Sequence, residues 1–155
     1  MAVVLADILN EKQVTLTLRA RTRRDALREI VWTMTTEGGV TEPEKFLTEV
    51  QMREGVGTTF MGNGVAFPHA RTDLVQQIVL GIGRSADGVP YGDEGTRAHL
   101  IFLIGVPKRM VTDYLVCVGA LARLAKDEET RGTLMRAETP AEFMELLHTG
   151  SLSPD

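Results

Sequence analysis

The sequence predicts an α/β fold, a central mixed sheet of about four to five strands with helices on both faces. Three observations carry this expectation. His99-Leu100-Ile101-Phe102-Leu103-Ile104-Gly105-Val106 is a continuous apolar run, the pattern of a central strand covered on both sides. Stretches with helical apolar spacing stand both before it and after it. The order of elements is strand, two helices, three strands, then three helices, and this interleaving suits a sheet packed between helices.

Residues 4–10 are expected to form a short helical turn. Val14-Thr15-Leu16-Thr17-Leu18 alternates apolar and polar residues, as a strand with one buried face does. Arg19 to Arg24 is a basic cluster, ordinarily a solvated face and otherwise a docking patch. Asp25 to Glu37 has Ala26, Leu27, Ile30, Val31 and Met34 on one helical stripe, with Gly38-Gly39 as its stop and Trp32 just off the stripe as a packing residue. Thr41-Glu42-Pro43-Glu44 has the form of a capping box with proline in the first turn, opening a helix to about Arg53 with Phe46, Leu47 and Val50 inward.

Val65-Ala66-Phe67 and Ile78 to Gly83 read as strands. Ser85 to Thr96 reads as a loop because Gly88, Pro90, Gly92 and Gly95 punctuate it and Asp87-Gly88 is a turn signal. Pro107 stops the central strand. Thr112 is the expected cap of a helix to about Lys126, buried through Leu115, Val118, Leu121 and Leu124. Asp127 caps a further short helix ending near Arg136. Thr139-Pro140-Ala141-Glu142 opens the last helix, with Phe143, Leu146 and Leu147 inward, and residues 151–155 form a loosely ordered tail.

The 155 residues are expected to make one domain, 1–155, with a core of ordinary size. A net charge of −4 argues against a duplex nucleic-acid binder. The single cysteine, Cys117, lies in an apolar stretch and excludes an internal disulfide. No basic-then-apolar leader and no apolar run of membrane length is visible, so the expectation is a cytoplasmic protein without direct membrane insertion. Three scattered histidines and one cysteine lack metal-ligand spacing, so neither a metal nor a cofactor is expected.

The chemistry points to residues 53–73. Glycines at 55, 57, 62 and 64 let the chain bend and leave amides uncovered. Pro68 holds Phe67 extended and leads stiffly into His69, a side chain that is neutral and nucleophilic near pH 7. Arg53 and Arg71 lie close enough in sequence to meet an anionic group on it. His99 begins a strand and matches no motif, and His148 sits near a helix end, where a cation suits the dipole.

This stretch resembles the active-site signature of the type-2 enzyme IIA domains of the bacterial phosphoenolpyruvate-dependent sugar phosphotransferase system, the fructose and mannitol class that includes the nitrogen-regulatory IIA proteins. Arg53, Glu54, the hydroxyls Thr58 and Thr59, Met61-Gly62, Val65-Ala66 and Pro68-His69-Ala70 fall in the family's order. Phe67 departs mildly, since the family usually has an aliphatic residue there. The resemblance implies a mixed α/β sandwich in which His69 carries a phosphoryl group received from an HPr-type phosphocarrier and given to a IIB domain or used toward a regulatory target protein. A homodimer is left open. On that reading Arg53 neutralises charge, Thr59 or Thr58 donates a hydrogen bond to the phosphoryl group or the ring, and amides at Gly62 and Gly64 together with Arg71 bind the oxygens. Many members carry a second histidine in the helix after the proline; Tyr114 stands at that place here, so the nucleophile is kept and onward transfer is put in question. Two rivals remain. One is a regulatory binding module of the same fold that controls a kinase or transporter. The other is a small-nucleotide sensor built on residues 81–95, whose Gly81-Ile82-Gly83 lacks the third glycine of a dinucleotide site.

Overall fold

The computed structural model describes residues 5–92 and 95–151. A six-stranded mixed sheet, one strand more than the upper expectation, lies between two helical layers. The strands are β1 (Val14–Thr15), β2 (Phe60–Gly62), β3 (Val65–Ala66), β4 (His69–Thr72), β5 (Val79–Pro90) and β6 (Arg97–Pro107). The helices are α1 (Arg23–Thr33), α2 (Pro43–Val56), α3 (Val111–Lys126), α4 (Glu128–Arg136) and α5 (Pro140–Ser151). Strands β5 and β6 pair antiparallel at the centre, β1 runs parallel to β5, and β3 and β4 both run parallel to β6.

β6 shows why the sheet is buried on both sides. Ile101 and Leu103 enter the layer holding Ala26, Leu27, Ile30, Phe46 and Val50 of α1 and α2. Their neighbours Leu100, Phe102, Ile104 and Val106 enter the other layer, with Leu121, Leu134, Phe143 and Leu147 of α3 to α5. Successive side chains of a strand point to opposite faces, so one unbroken apolar run serves two cores.

β5 corrects the expected loop at 85–96. The strand continues to Pro90, and an irregularity between Arg84 and Val89 absorbs Asp87-Gly88 before pairing with β6 resumes. The structure also gives Gly81 and Gly83 another task than nucleotide binding. A Cβ at Gly81 would lie 2.7 Å from Met34 Cγ, and one at Gly83 would lie 2.7 Å from Ile30 Cδ1, so the missing side chains let α1 close onto the sheet. Gly83→Val is expected to destabilise the fold by about 1–3 kcal/mol through overpacking, read as a lower urea midpoint.

Several boundaries differ for local reasons. The strand expected at 14–18 pairs only through Thr15, although Leu18 is buried and its N–H donates to Arg84 O at 2.9 Å. Helix α1 is capped by Thr22 and ends at Thr33, short of Gly38-Gly39. The hydroxyls of Thr33, Thr35 and Thr36 donate back to main-chain carbonyls, which competes with further helix. Trp32 is 43% exposed and lies under the Arg28 guanidinium rather than in the core. The box expected at Thr41 does not form: Glu42 is the cap residue without a side-chain cap bond, and its carboxylate pairs with Lys45 at 3.0 Å. A short turn at Lys108–Met110 runs directly into α3, which places Thr112 inside the helix rather than at its cap. The turn expected at 4–10 is found at Leu5–Ile8, and Asp127 and Thr139 accept the expected amide bonds from Thr130 and Glu142. The expected tail at 151–155 lies outside the described residues beyond Ser151. Among the described residues no helix is long and apolar enough to cross a membrane.

Candidate functional site

Strands β3 and β4 are in effect one path along β6, broken by Pro68. Ala66 pairs with Ile101 and His69 with Ile104, so the register survives the break, and Pro68 O accepts from Ile104 N–H at 3.0 Å. His69 therefore begins a second strand after the break. Only β3 has β2 beyond it, so among the described residues β4 is an edge strand. His69 sits at that edge between α2 and α3.

The imidazole is half-buried and its tautomer is set. Nδ1 lies 3.2 Å from Phe67 O. A carbonyl can only accept, so Nδ1 carries the proton and Nε2 keeps the lone pair of the neutral ring. Burial pushes the His69 pKa below the ordinary histidine value, the Phe67 carbonyl pulls it up, the Arg53 charge pushes it down again, and Glu54 opposes, with a net lowering. The ring is thus neutral and nucleophilic at pH 7. In a ring-resonance titration by NMR, His69 is expected to protonate at a lower pH than an exposed histidine. The sign for stability follows: the unfolded chain takes this proton more readily, so the contribution is full above the ordinary value near 6.5 and falls as pH drops toward the folded value.

The structure brings four of the expected residues together. Arg53 and Arg71 line an open cavity of about 440 Å³ with His69, Ala70, Glu49 and Met52. Arg53 lies in the last turn of α2, which runs on to Val56, and its Nη1 donates to Gly57 O at 2.8 Å. Arg71 is exposed and lies two residues along β4 from His69, hence on the same face. From α3, the Tyr114 ring lies 5.2 Å from the His69 ring, centroid to centroid, tilted by 37°. Burial raises the Tyr114 pKa, partly offset by the Arg53 charge, so its hydroxyl stays a neutral donor.

Other expected residues stand elsewhere. Gly62 and Gly64 do not reach His69. With Asn63 they form the tight turn between β2 and β3, all three at positive φ; Gly62 and Asn63 lie near Ala122 and Ala125 of α3, and Gly64 against His99. Val65 pairs with Leu100 but His69 with Ile104, and four strand residues put the turn roughly 13 Å away. Proximity in sequence was undone by an extended strand. Thr59 is buried, and its hydroxyl donates to Glu54 rather than facing the cavity. Thr58 is exposed, its Oγ1 accepting from Phe60 N–H at 3.2 Å. His99 is half-buried in β6 with Nδ1 3.0 Å from Ser85 O. Cys117 is buried, as its apolar setting suggests.

Sequence reasoning missed three features. The Glu54 carboxylate is fully buried, where Tyr91 Oη donates to its Oε1 at 2.7 Å and Arg23 Nη1 lies 3.6 Å from its Oε2. Tyr91 belongs to no motif in the chain, and Arg23 stands out only as one member of the basic cluster 19–24. Leu115, expected to be buried, is 58% exposed, because the neighbouring Tyr114 packs on His69 and turns Leu115 outward. Met52 and Val56 on α2 are likewise exposed, at 67% and 85%. The two helices that bracket His69 therefore both show apolar side chains to solvent.

Residues 7–149 match the model of the family described as phosphoenolpyruvate-dependent sugar phosphotransferase system, EIIA 2. The chain is 33% identical to the PTS system fructose-specific EIIA component of Haloferax volcanii over 111 residues, which cover 71% of this chain and 72% of that one. It is 26% identical over 145 residues to the PTS system fructose-specific EIIABC component of Bacillus subtilis, covering 93% of this chain and 23% of that protein. The chain thus spans less than a quarter of that relative's length. Its fold is similar to that in a solved complex of enzyme IIAMTL and phosphorylated enzyme IIBMTL from Escherichia coli, with a TM-score of 0.79 at 23% identity, covering 91% of this chain and 97% of that one.

Proposed function

This chain belongs to the phosphoenolpyruvate-dependent sugar phosphotransferase system EIIA 2 family, and from that premise we propose that it is a phosphohistidine carrier. His69 takes a phosphoryl group from an HPr-type donor and passes it to a IIB partner or holds it as a regulatory signal. The observation that carries this reading is the arrangement of His69 itself: Nδ1 tied to Phe67 O, and the ring at an open cavity lined by Arg53 and Arg71.

The step needs little covalent machinery. His69 Nε2 attacks the phosphorus of the donor's phosphohistidine, forming an N–P bond. The donor's own N–P bond breaks in line, and its imidazole leaves with the electron pair. The His69 proton stays on Nδ1, where Phe67 O holds it. The incoming dianion meets the guanidiniums of Arg53 and Arg71 and the Tyr114 hydroxyl, so the chain's part is positioning and charge neutralisation. Exposed Met52 at the cavity, with exposed Val56 on α2 and Leu115 on α3 beside Tyr114, favours a protein surface as the partner, since exposed apolar groups among charges mark protein contacts.

One observation favours a second reading, a regulatory module that accepts the group but does not pass it on: the ring beside His69 is Tyr114, which brings no cation to the transfer. Both readings are tested together. The protein is incubated with phosphoenolpyruvate, enzyme I and HPr, and an alkali-stable, acid-labile adduct of one phosphoryl group is expected by mass. An unmodified wild type overturns the carrier reading. Labelled protein that holds its group in the presence of a matched IIB, with transfer improved by Tyr114→His, favours the regulatory reading.

A further inference from the structure

Directly after the cavity residue Arg53 comes a buried polar cluster that touches no reacting atom. Its centre is Glu54, whose side chain is fully shielded from solvent. The carboxylate accepts from the Thr59 N–H at 3.3 Å, from the Thr59 hydroxyl, and from the Tyr91 hydroxyl at 2.7 Å. Tyr91 Oη also lies 3.1 Å from Thr59 Oγ1. Arg23 supplies the compensating charge, with Nη1 3.6 Å from Glu54 Oε2 and its guanidinium carbon 5.6 Å from the centre of the Tyr91 ring. Four parts of the chain are tied here: the start of α1, the end of α2, the residue before β2, and the residue after β5.

The cluster continues into the site along one chain of hydrogen bonds. Glu54 fixes Thr59 by both its main-chain N–H and its hydroxyl. The carbonyl of Thr59 accepts from the Phe67 N–H at 3.0 Å. The carbonyl of Phe67 in turn accepts from His69 Nδ1 at 3.2 Å. Phe67 is thus held at both of its main-chain groups, and the second of these decides which imidazole nitrogen bears the proton. A buried carboxylate is costly unless fully bonded, and this one has four partners. Glu54 also directly follows Arg53, so anchoring it holds the α2 turn from which that guanidinium springs.

We propose that Glu54, held by Tyr91 and Arg23, is a positioning residue for His69: through Thr59 and Phe67 it fixes the ring in the Nδ1–H tautomer and leaves Nε2 free at the cavity. This rests on His69 being the phosphorylated nucleophile, and it adds three residues to the site that touch no substrate.

The test pairs two conservative variants, Glu54→Gln and Tyr91→Phe, with two readouts on folded protein. The first is the nitrogen-15 spectrum of the His69 ring without any phosphoryl donor. Wild type is expected to show one dominant Nδ1–H tautomer, and both variants a mixture. The second is phosphoryl uptake from phosphorylated HPr. Glu54→Gln is expected to lower kcat by about 10- to 100-fold, the scale of a small misplacement of a reacting group, with the KM for HPr within twofold. Tyr91→Phe, which removes one hydroxyl from a buried ring, is expected to show the same changes to a smaller degree and to stay folded should Glu54→Gln not. Unchanged tautomer ratios in the folded variants overturn the proposal, whatever the rates do. So do rates within twofold of wild type. A wild type that takes no phosphoryl group refutes the carrier reading instead, and the ring spectra still decide whether Glu54 sets the tautomer.

Discussion

His69→Ala is expected to abolish phosphoryl uptake, with no adduct detectable under conditions that label wild type to completion. No other group in the cavity can form the acid-labile, alkali-stable adduct: the Glu49 carboxylate there could give only an alkali-labile acyl phosphate. Arg53 and Arg71 are permanently charged donors without a lone pair to offer, and the Tyr114 hydroxyl is kept protonated by burial. Neither of the two remaining histidines lines the His69 cavity. His99 Nδ1 is engaged with Ser85 O, and His148 lies in the last turn of α5. The variants His99→Gln and His148→Gln are therefore expected to label as wild type does. Folding of His69→Ala is checked by circular dichroism and by its urea midpoint. The ring is half-buried and makes one hydrogen bond, so the midpoint is expected to move little. A labelled His69→Ala protein would place the phosphoryl group elsewhere and remove the basis of the functional reading.

Arg53→Ala is expected to reduce the rate of uptake by about 10²- to 10³-fold, the usual loss when one preorganised charge is taken from a transferring group. The guanidinium is held by Gly57 O at the end of α2, ready beside the cavity before any phosphate arrives. Its loss has a second, independent signature. Arg53 is one of the causes that hold the His69 pKa down, so in this variant the ring is expected to protonate at a higher pH than in wild type. Arg53→Lys keeps the charge but not the planar fork, and a partial rescue of rate is expected. Stability is expected to change by no more than about 1 kcal/mol, because the lost bond to Gly57 is exposed. A rate within threefold of wild type would hand charge neutralisation to Arg71 and Tyr114.

Much of the fold was legible because burial leaves a local record. The run through β6 shows two-sided burial, and the stripes of α1, α2 and α5 place Leu27, Ile30, Phe46, Val50, Phe143 and Leu147 inward, where the structure has them. The record misleads where a local signal is overruled at a distance. Gly88 and Pro90 spell a loop, yet the edge of β6 extends β5 through them. Leu115 has the spacing of a core residue, but α3 is apolar nearly all round, and the residues on both sides of the helix cannot all face the sheet. Gly62 and Gly64 are close to His69 in the chain, and only the register along β6 shows them to be remote. The site itself was half visible. The proline-led histidine and the arginines before and after it stand in one stretch of sequence, as does Glu54, whereas the Glu54–Tyr91 bond reaches 37 residues away to a tyrosine with nothing around it to announce the contact.

The position of β4 has a consequence for how the molecule behaves in a crowded solution. A strand with a neighbour on one side only presents unpaired main-chain groups, and these invite a second molecule to add its own strand. The proposed function asks for this margin to stay bare, since a covered histidine could not be reached. The chain meets both demands with chemistry hostile to a newcomer. Pro68 has no amide to offer, and the exposed charges of Arg71 and Asp73 would be stranded against a foreign backbone. On the proposed reading the same guanidinium would serve both the phosphoryl group and the protection of this edge, and Arg71→Leu is expected to lower solubility as well as transfer.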